Sequence, residues 1–211
     1  AMDVMRLLTA MTAVARHYPE LAGQVFKIKN AWALDHLISD AAFIGGQSVK
    51  DGTTARWAEG RLGYEQYAAR GALLRGLDAS SAFRLSGKLH WVEVYDIPVP
   101  VDRRSANTHG IASVTTSEPF VLEALEFGWR KDILKIAAHV LAAQQARFSQ
   151  TGQLTAFSED HMDQSPFFAY DGVLVDERPF ASVSADNRRP LDVKRVSAKA
   201  SVAWHALLQT G

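Results

Sequence analysis

The strongest constraint on this chain is the recurrence of helix-length segments, each stopped by proline or glycine. Residues 4–17 place Met5, Leu8, Met11 and Ala15 at helical spacing, and Pro19 ends the run. A second helix is expected from Leu21 or Lys29 to Ser39, with Trp32, Leu34, Leu37 and Ile38 on its apolar side. Residues 60–77 form the next, with Leu62, Tyr67, Leu73, Leu74 and Leu77 near one face. Gly71 and Gly76 fall inside that segment, where a glycine costs about 1 kcal/mol against alanine, so the close approach of another helix or a ligand is expected there. Ser117 as N-cap, Glu118 and Pro119 mark the start of a helix that ends near Gly128. Residues 131–149 carry the stripe Ile133, Leu134, Ile136, Ala137, Val140 and Leu141, closed by Thr151 and Gly152. A last helix is expected over 197–208.

Between the helices lie short runs that read as strands. Residues 41–44 and 47–49 flank Gly45-Gly46, read as a turn, and Asp51-Gly52 is a tight-hairpin signal. Residues 89–95 and 97–101 alternate around an edge marked by Pro98 and Pro100. Further strands are expected at 111–114, 154–157, 167–170 and 173–175. Proline and glycine are spread evenly, so residues 1–211 read as a single domain or lobe.

Charge excludes several functions. Lys plus Arg and Asp plus Glu both number 23, so the chain has no basic excess for nucleic acid and none for an anionic membrane surface. No apolar run is long enough to insert in a bilayer. With no cysteine, disulfides, thiol nucleophiles and thiolate metal sites are all excluded. His17, His36, His90, His109, His139 and His205 are scattered and form no zinc pattern. No nucleophile elbow and no phosphate-binding glycine loop occurs, so no metal and no cofactor is expected. The tryptophans are too dispersed for one sugar platform, and Trp129 and Trp204 are assigned to the core. The compartment is not fixed by the sequence, with periplasm or cell envelope placed ahead of cytoplasm.

Acidic clusters carry what chemistry there is. Glu59, Tyr64, Glu65, Tyr67 and Arg70 gather at the beginning of the glycine-bearing helix. Carboxylates beside aromatic rings suit sugars, because rings stack on the apolar sugar face while carboxylates bind hydroxyls. Equally, the tyrosines could be core and Glu65 could answer the helix dipole. Glu118 lies in a segment that reads first as an ordinary helix N-terminus. Glu159, Asp160, His161 and Asp163 form an acidic loop followed by an aromatic run ending at Tyr170. Such a loop could supply a general acid or base, or oxygen ligands for a hard cation, though it lacks the calcium-loop spacing.

The segments EGRLGYEQYAARG (59–71), SEPFVLEALEFGW (117–129), GQLTAFSEDH (152–161), PFFAY (166–170) and SAKA (197–200), in that order and spacing, resemble a bacterial family known as domain of unknown function 3131. The resemblance covers most of the chain, from about Trp32 to Leu208. It implies kinship with six-hairpin (α/α) toroid glycosidases, and some members of the family lie beside exopolysaccharide or glucan genes. The expected fold is therefore mainly α, a partial (α/α) toroid of helical hairpins with short β-hairpin insertions, forming the C-terminal part of a larger toroid. The expected function is that of a glycoside hydrolase or transglycosylase on a bacterial polysaccharide. Glu65, Glu118, Glu159 and Asp160 would supply acid and base; Glu59, Tyr64, Tyr67, Arg70, His161, Asp163 and Tyr170 would bind sugar. The alternative is a non-catalytic glycan-binding or assembly module. Carbohydrate is the expected partner in both, and exposed helix faces of a half toroid would favour a homo-oligomer.

Overall fold

A computed structural model describes residues 2–39, 42–59, 61–184, 191 and 195–208. The chain divides into two compact units, one comprising Ala1–Glu59 with Tyr64–Leu85 and the other Gly60–Gly63 with Ser86–Gly211.

In the first unit, α1 (Met2–His17) leads through a short 3-10 turn at Pro19–Leu21 into α2 (Ala22–Asn30). A second 3-10 turn, Leu34–Leu37, follows, so the helix expected to run on to Ser39 instead stops at Asn30. Strands β1 (Ile38–Ser39), β2 (Ala42–Lys50) and β3 (Thr53–Ala58) form an antiparallel sheet in that order. Asp51 (φ 50) and Gly52 (φ 74) turn the β2–β3 hairpin with both residues left-handed, the twist that matches the strands it joins. Gly45-Gly46 is no turn: β2 runs through it, with a register shift between Ile44 and Gly46. Helix α3 (Tyr64–Leu73) and the single turn α4 (Ser80–Phe83) complete the unit. Helix α3 is shorter than its apolar spacing suggests, because Gly63 and Gly76, at φ 88 and 78, lie outside it. Its small residues Ala68, Ala69 and Ala72 pack with Met5 and Leu8 of α1 and with Leu34, Phe43, Ala79 and Ala82 in a common core.

The second unit is built around β-structure. Strands β4 (Leu89–Val94) and β5 (Ile97–Asp102) form a two-stranded ribbon turned at Tyr95 and Asp96 (φ 51 and 60). Pro98 and Pro100 lie on β5, which among the described residues pairs with β4 alone and so leaves its other edge unladdered. The short helix α5 (Ala106–His109) precedes β6 (Val114–Thr115). Helices α6 (Glu118–Phe127) and α7 (Lys131–Thr151) follow, then β7 (Glu159–His161), β8 (Phe168–Val175), β9 (Arg178–Ser184) and α8 (Ala198–Leu208). Strand β8 is central: β9 pairs along one edge, while β7 and β6 share the other, opposite residues 168–170 and 174–175. Buried Val173, Leu174 and Val175, with Phe120, Phe157 and Phe180, form the interior, and Trp204 is buried as expected.

This architecture is mixed α/β and overturns the expected mainly-α toroid. The segments read as insertions between helical hairpins are core elements. Val94, Val99 and Val101 of the ribbon are buried, and α7 packs against β5. Residues 154–157, expected as a strand, are not one, whereas β9 was not foreseen.

Candidate functional site

The acidic residues singled out from the sequence separate into the two units. Glu59, Tyr64, Glu65, Tyr67 and Arg70 belong to the first. There Glu65 is fully buried and accepts a hydrogen bond of 3.1 Å from the backbone N–H of Phe43. Tyr64 and Tyr67 are buried as well.

In the second unit the chain converges on three consecutive residues, Ala156 to Ser158. The Phe157 N–H donates to Gln144 Oε1 of α7 at 2.7 Å. The carbonyls of Ala156, Phe157 and Ser158 accept from the N–H groups of Ser197 (2.7 Å), Ser117 (3.2 Å) and Asp171 (3.0 Å). Segments leading into α6 and α8, the middle of α7 and the centre of β8 are thereby tied to one stretch of backbone. Ser117 takes part through its side chain too: Gln144 Nε2 donates to its hydroxyl at 3.2 Å. It does not cap α6 as expected, because its own backbone is already helical, at φ −77 and ψ −39.

What this clasp positions is the charged cluster. The Ser158 hydroxyl donates to Glu118 Oε2 at 2.7 Å. Lys199 Nζ, in the first turn of α8, lies 2.6 Å from the same oxygen and 3.8 Å from Glu159 Oε1. The Glu118 and Glu159 carboxylates are therefore no farther apart than those two distances end to end. Asp160 follows Glu159 on β7 and pairs with Ala169 of β8. Its Oδ2 is buried without a hydrogen-bond partner. Burial pushes the Asp160 carboxyl above the ordinary aspartate range; Lys199 and Arg195 pull it down, and Glu118 adds to the rise.

Strand alternation sorts the remaining side chains. Glu159 is opposite Tyr170 and His161 opposite Phe168, so these share a face. His161 and Phe168 meet edge to face with centroids 4.8 Å apart, and Phe168 meets Tyr170 likewise at 5.1 Å. The Arg61 guanidinium lies 4.2 Å from the Tyr170 ring centroid. Asp163 is exposed in the loop between β7 and β8. The structure thus brings together Glu118, Glu159 and Asp160, with His161 and Tyr170 beside them.

Sequence reasoning missed Lys199, Arg195 and Asp171. Asp171 is fully buried on β8; Arg195 Nη2 stands 3.0 Å from its Oδ2, and Ser182 donates to its Oδ1. Burial raises the Asp171 carboxyl, opposed by the Ser182 hydroxyl and by Arg195. The signal lay in the sequence as a charge inside the apolar run 168–175, but Asp171-Gly172 reads as a break between strands. An open groove of about 550 Å³ beside α7, lined in part by Leu141, Gln145, Phe148 and Leu154, contains none of the expected residues. Among the described residues no group of three or more His, Asp or Glu side chains is placed to hold a metal ion. Nor is any described helix long and apolar enough to cross a membrane.

Residues 1–211 match a family described as Protein of unknown function (DUF3131). No curated protein and no solved structure matches the chain.

Proposed function

We propose, for a chain that belongs to the DUF3131 family, that the second unit acts on a glycan by carboxylate acid–base chemistry, with Asp160 as proton donor and Glu118, whose charge reaches it, as its carboxylate partner. The supporting observation is the contrast between neighbouring carboxyls. Asp160 is pushed toward its neutral form by burial, while Glu118 and Glu159 flank the Lys199 ammonium. Glycoside hydrolysis needs such a pair, one carboxylic acid to protonate the leaving oxygen and one carboxylate to attack or to activate water. Ser158 and Lys199 hold the Glu118 carboxylate in place. His161, Phe168 and Tyr170, on the face of Glu159, supply ring surface and polar edges suited to a sugar.

The test uses bacterial glucans and exopolysaccharides, with reducing-end release and binding measured separately. D160N and E118Q should each lower turnover by about 100-fold or more while binding persists. Turnover that survives both substitutions overturns the proposal. A second reading, a non-catalytic glycan-binding module, draws on the engagement of Glu118 in structural contacts. It is the outcome if the parent protein binds a glycan but releases no reducing ends.

A further inference from the structure

We propose that the groove beside α7 is a binding site separate from the acidic cluster, shaped for an uncharged stretch of sugar chain. The groove's own lining sets the ligand class, independently of the acid–base reading.

The groove follows from how α7 ends. Gly152, left-handed at φ 70, donates its N–H to the Phe148 carbonyl at 2.8 Å and turns the chain back along the helix it has just left. The returning segment is pinned at two points. Arg147 Nη1 donates to Thr155 Oγ1 at 3.2 Å, and the Phe157 N–H donates to Gln144 Oε1 at 2.7 Å. Between helix and returning segment lies an open hollow of about 550 Å³, within the roughly 300–1,000 Å³ of small-molecule sites. Leu141, Gln144, Gln145, Phe148 and Ser149 recur at helical spacing and form its α7 side, and Leu154 and Thr155 form the other. With both walls tied down, little ordering is left to be done on binding.

The lining selects the ligand. Its polar side chains, Gln144, Gln145, Ser149 and Thr155, are all amides or hydroxyls. Such groups give and accept hydrogen bonds alike, which matches sugar hydroxyls, each of them donor and acceptor at once. The Gln144 amide is already engaged by Phe157, Ser117 and Val140. Gln145 and Ser149 are exposed, and no side-chain hydrogen bond holds either among the described residues. Phe148 is 48% exposed and Leu154 67%, which offers apolar surface to the C–H face of a sugar ring. No Lys, Arg, Asp or Glu lines the groove. Arg147, one residue before Phe148, is buried, with its guanidinium 4.6 Å from the Phe180 ring centroid and bonded to Gln153 and Thr155. A charged ligand would lose hydration here without an opposite charge in return. A partner helix would need a continuous apolar stripe, which Gln145 and Ser149 interrupt. Thr155 and Glu159 are four residues apart, so their Cα atoms are separated by at most about 14 Å, a distance that a few sugar residues span.

The experiment titrates the whole isotope-labelled chain by NMR with neutral hexasaccharides of the cello, laminari, malto and chito series. Concentrations up to about 10 mM register dissociation constants of about 1 mM. Saturable shifts are expected, for at least one series, in the backbone amides of residues 141–149 and 154–155 and in the Gln145 side-chain amide. F148A should weaken that binding by about tenfold or more, and F148W, which returns a ring, should restore it. Q145A, at an exposed position, should weaken it by about threefold or more and decides the matter if F148A fails to fold. No saturable shift in the groove with any series overturns the proposal, and so does parent affinity in F148A or Q145A. Preference of the groove for an acidic oligogalacturonide over the neutral sugars overturns the ligand class. Groove shifts without turnover would count against the acid–base function alone, whereas turnover without groove shifts would count against this inference alone.

Discussion

A carboxyl that folding pushes toward its neutral form leaves a mark on stability against pH. Asp160 and Asp171 both titrate above the ordinary aspartate range because burial penalises their charge. The native state then binds protons more tightly than the unfolded chain does. Their contribution is fully present below the unfolded value of about 3.9 and is lost as pH rises through the folded value. Replacing Asp160 by Asn removes one such group, so the variant should gain on the parent as pH increases. Urea unfolding at about pH 4 and about pH 8 checks the sign: a difference between the two proteins that does not shift in favour of D160N at the higher pH would contradict the assignment. At this scale the sequence was informative about residue type. Glu118, Glu159 and Asp160 stand out because charged side chains beside aromatics are conspicuous along the chain. Their partners do not, since Lys199 meets Glu118, and Arg195 meets Asp171, across long stretches of intervening sequence.

Glycines divide the elements more sharply than apolar spacing does. Gly63, at φ 88, lies just before α3, and a Cβ there would stand 2.7 Å from Pro119 Cγ and 3.1 Å from Phe120 Cε1. Gly63→Ala therefore combines an unfavourable backbone with a steric clash, and should destabilise by about 2–5 kcal/mol in denaturant unfolding. Gly71, within α3, differs. A Cβ there would meet Met5 Cβ at 3.6 Å and Thr9 Oγ1 at 3.7 Å, which is ordinary contact with α1. Gly71→Ala should be neutral or stabilise by up to about 1 kcal/mol, since helix propensity then acts without a clash. A strong loss at Gly71 would show that α1 and α3 pack more tightly than these distances allow. The helical period was readable for α1, α6, α7 and α8, whose bounds fall within a few residues of those expected. It failed past Asn30, where a 3-10 turn replaces the expected helix, and across residues 74–77, where Gly76 is left-handed.

For the whole chain, the family resemblance held while the toroid attached to it did not. The reason is physical: helix is written locally, but sheet order is not. Val114 pairs with Val175, and Glu159 with Tyr170, through separations that leave no periodic trace. The two units also interleave along the chain, which passes between them near residues 60–63 and again after Leu85, so no single linker marks the division. Net charge is a property at this scale. With 23 basic and 23 acidic residues, association with an uncharged glycan should release few counterions. Affinity should change by less than about twofold between about 50 and about 200 mM salt, against the roughly 10³–10⁵-fold loss for a protein making six to ten phosphate contacts. A steep salt slope in titration calorimetry would point to a polyanionic ligand instead.

The tether of Ala156 to Ser158 makes this tripeptide the keystone of the second unit, because the amides of Ser117, Asp171 and Ser197 donate to its carbonyls while its own Phe157 amide donates to Gln144. Those amides should lose protection against deuterium exchange in lockstep rather than one at a time. A single residue spliced in after Phe157 would break the tally: Ser158 would slide out of reach of Glu118, and every side chain of β7 would swap faces, with Asp160 turned away from Asp171.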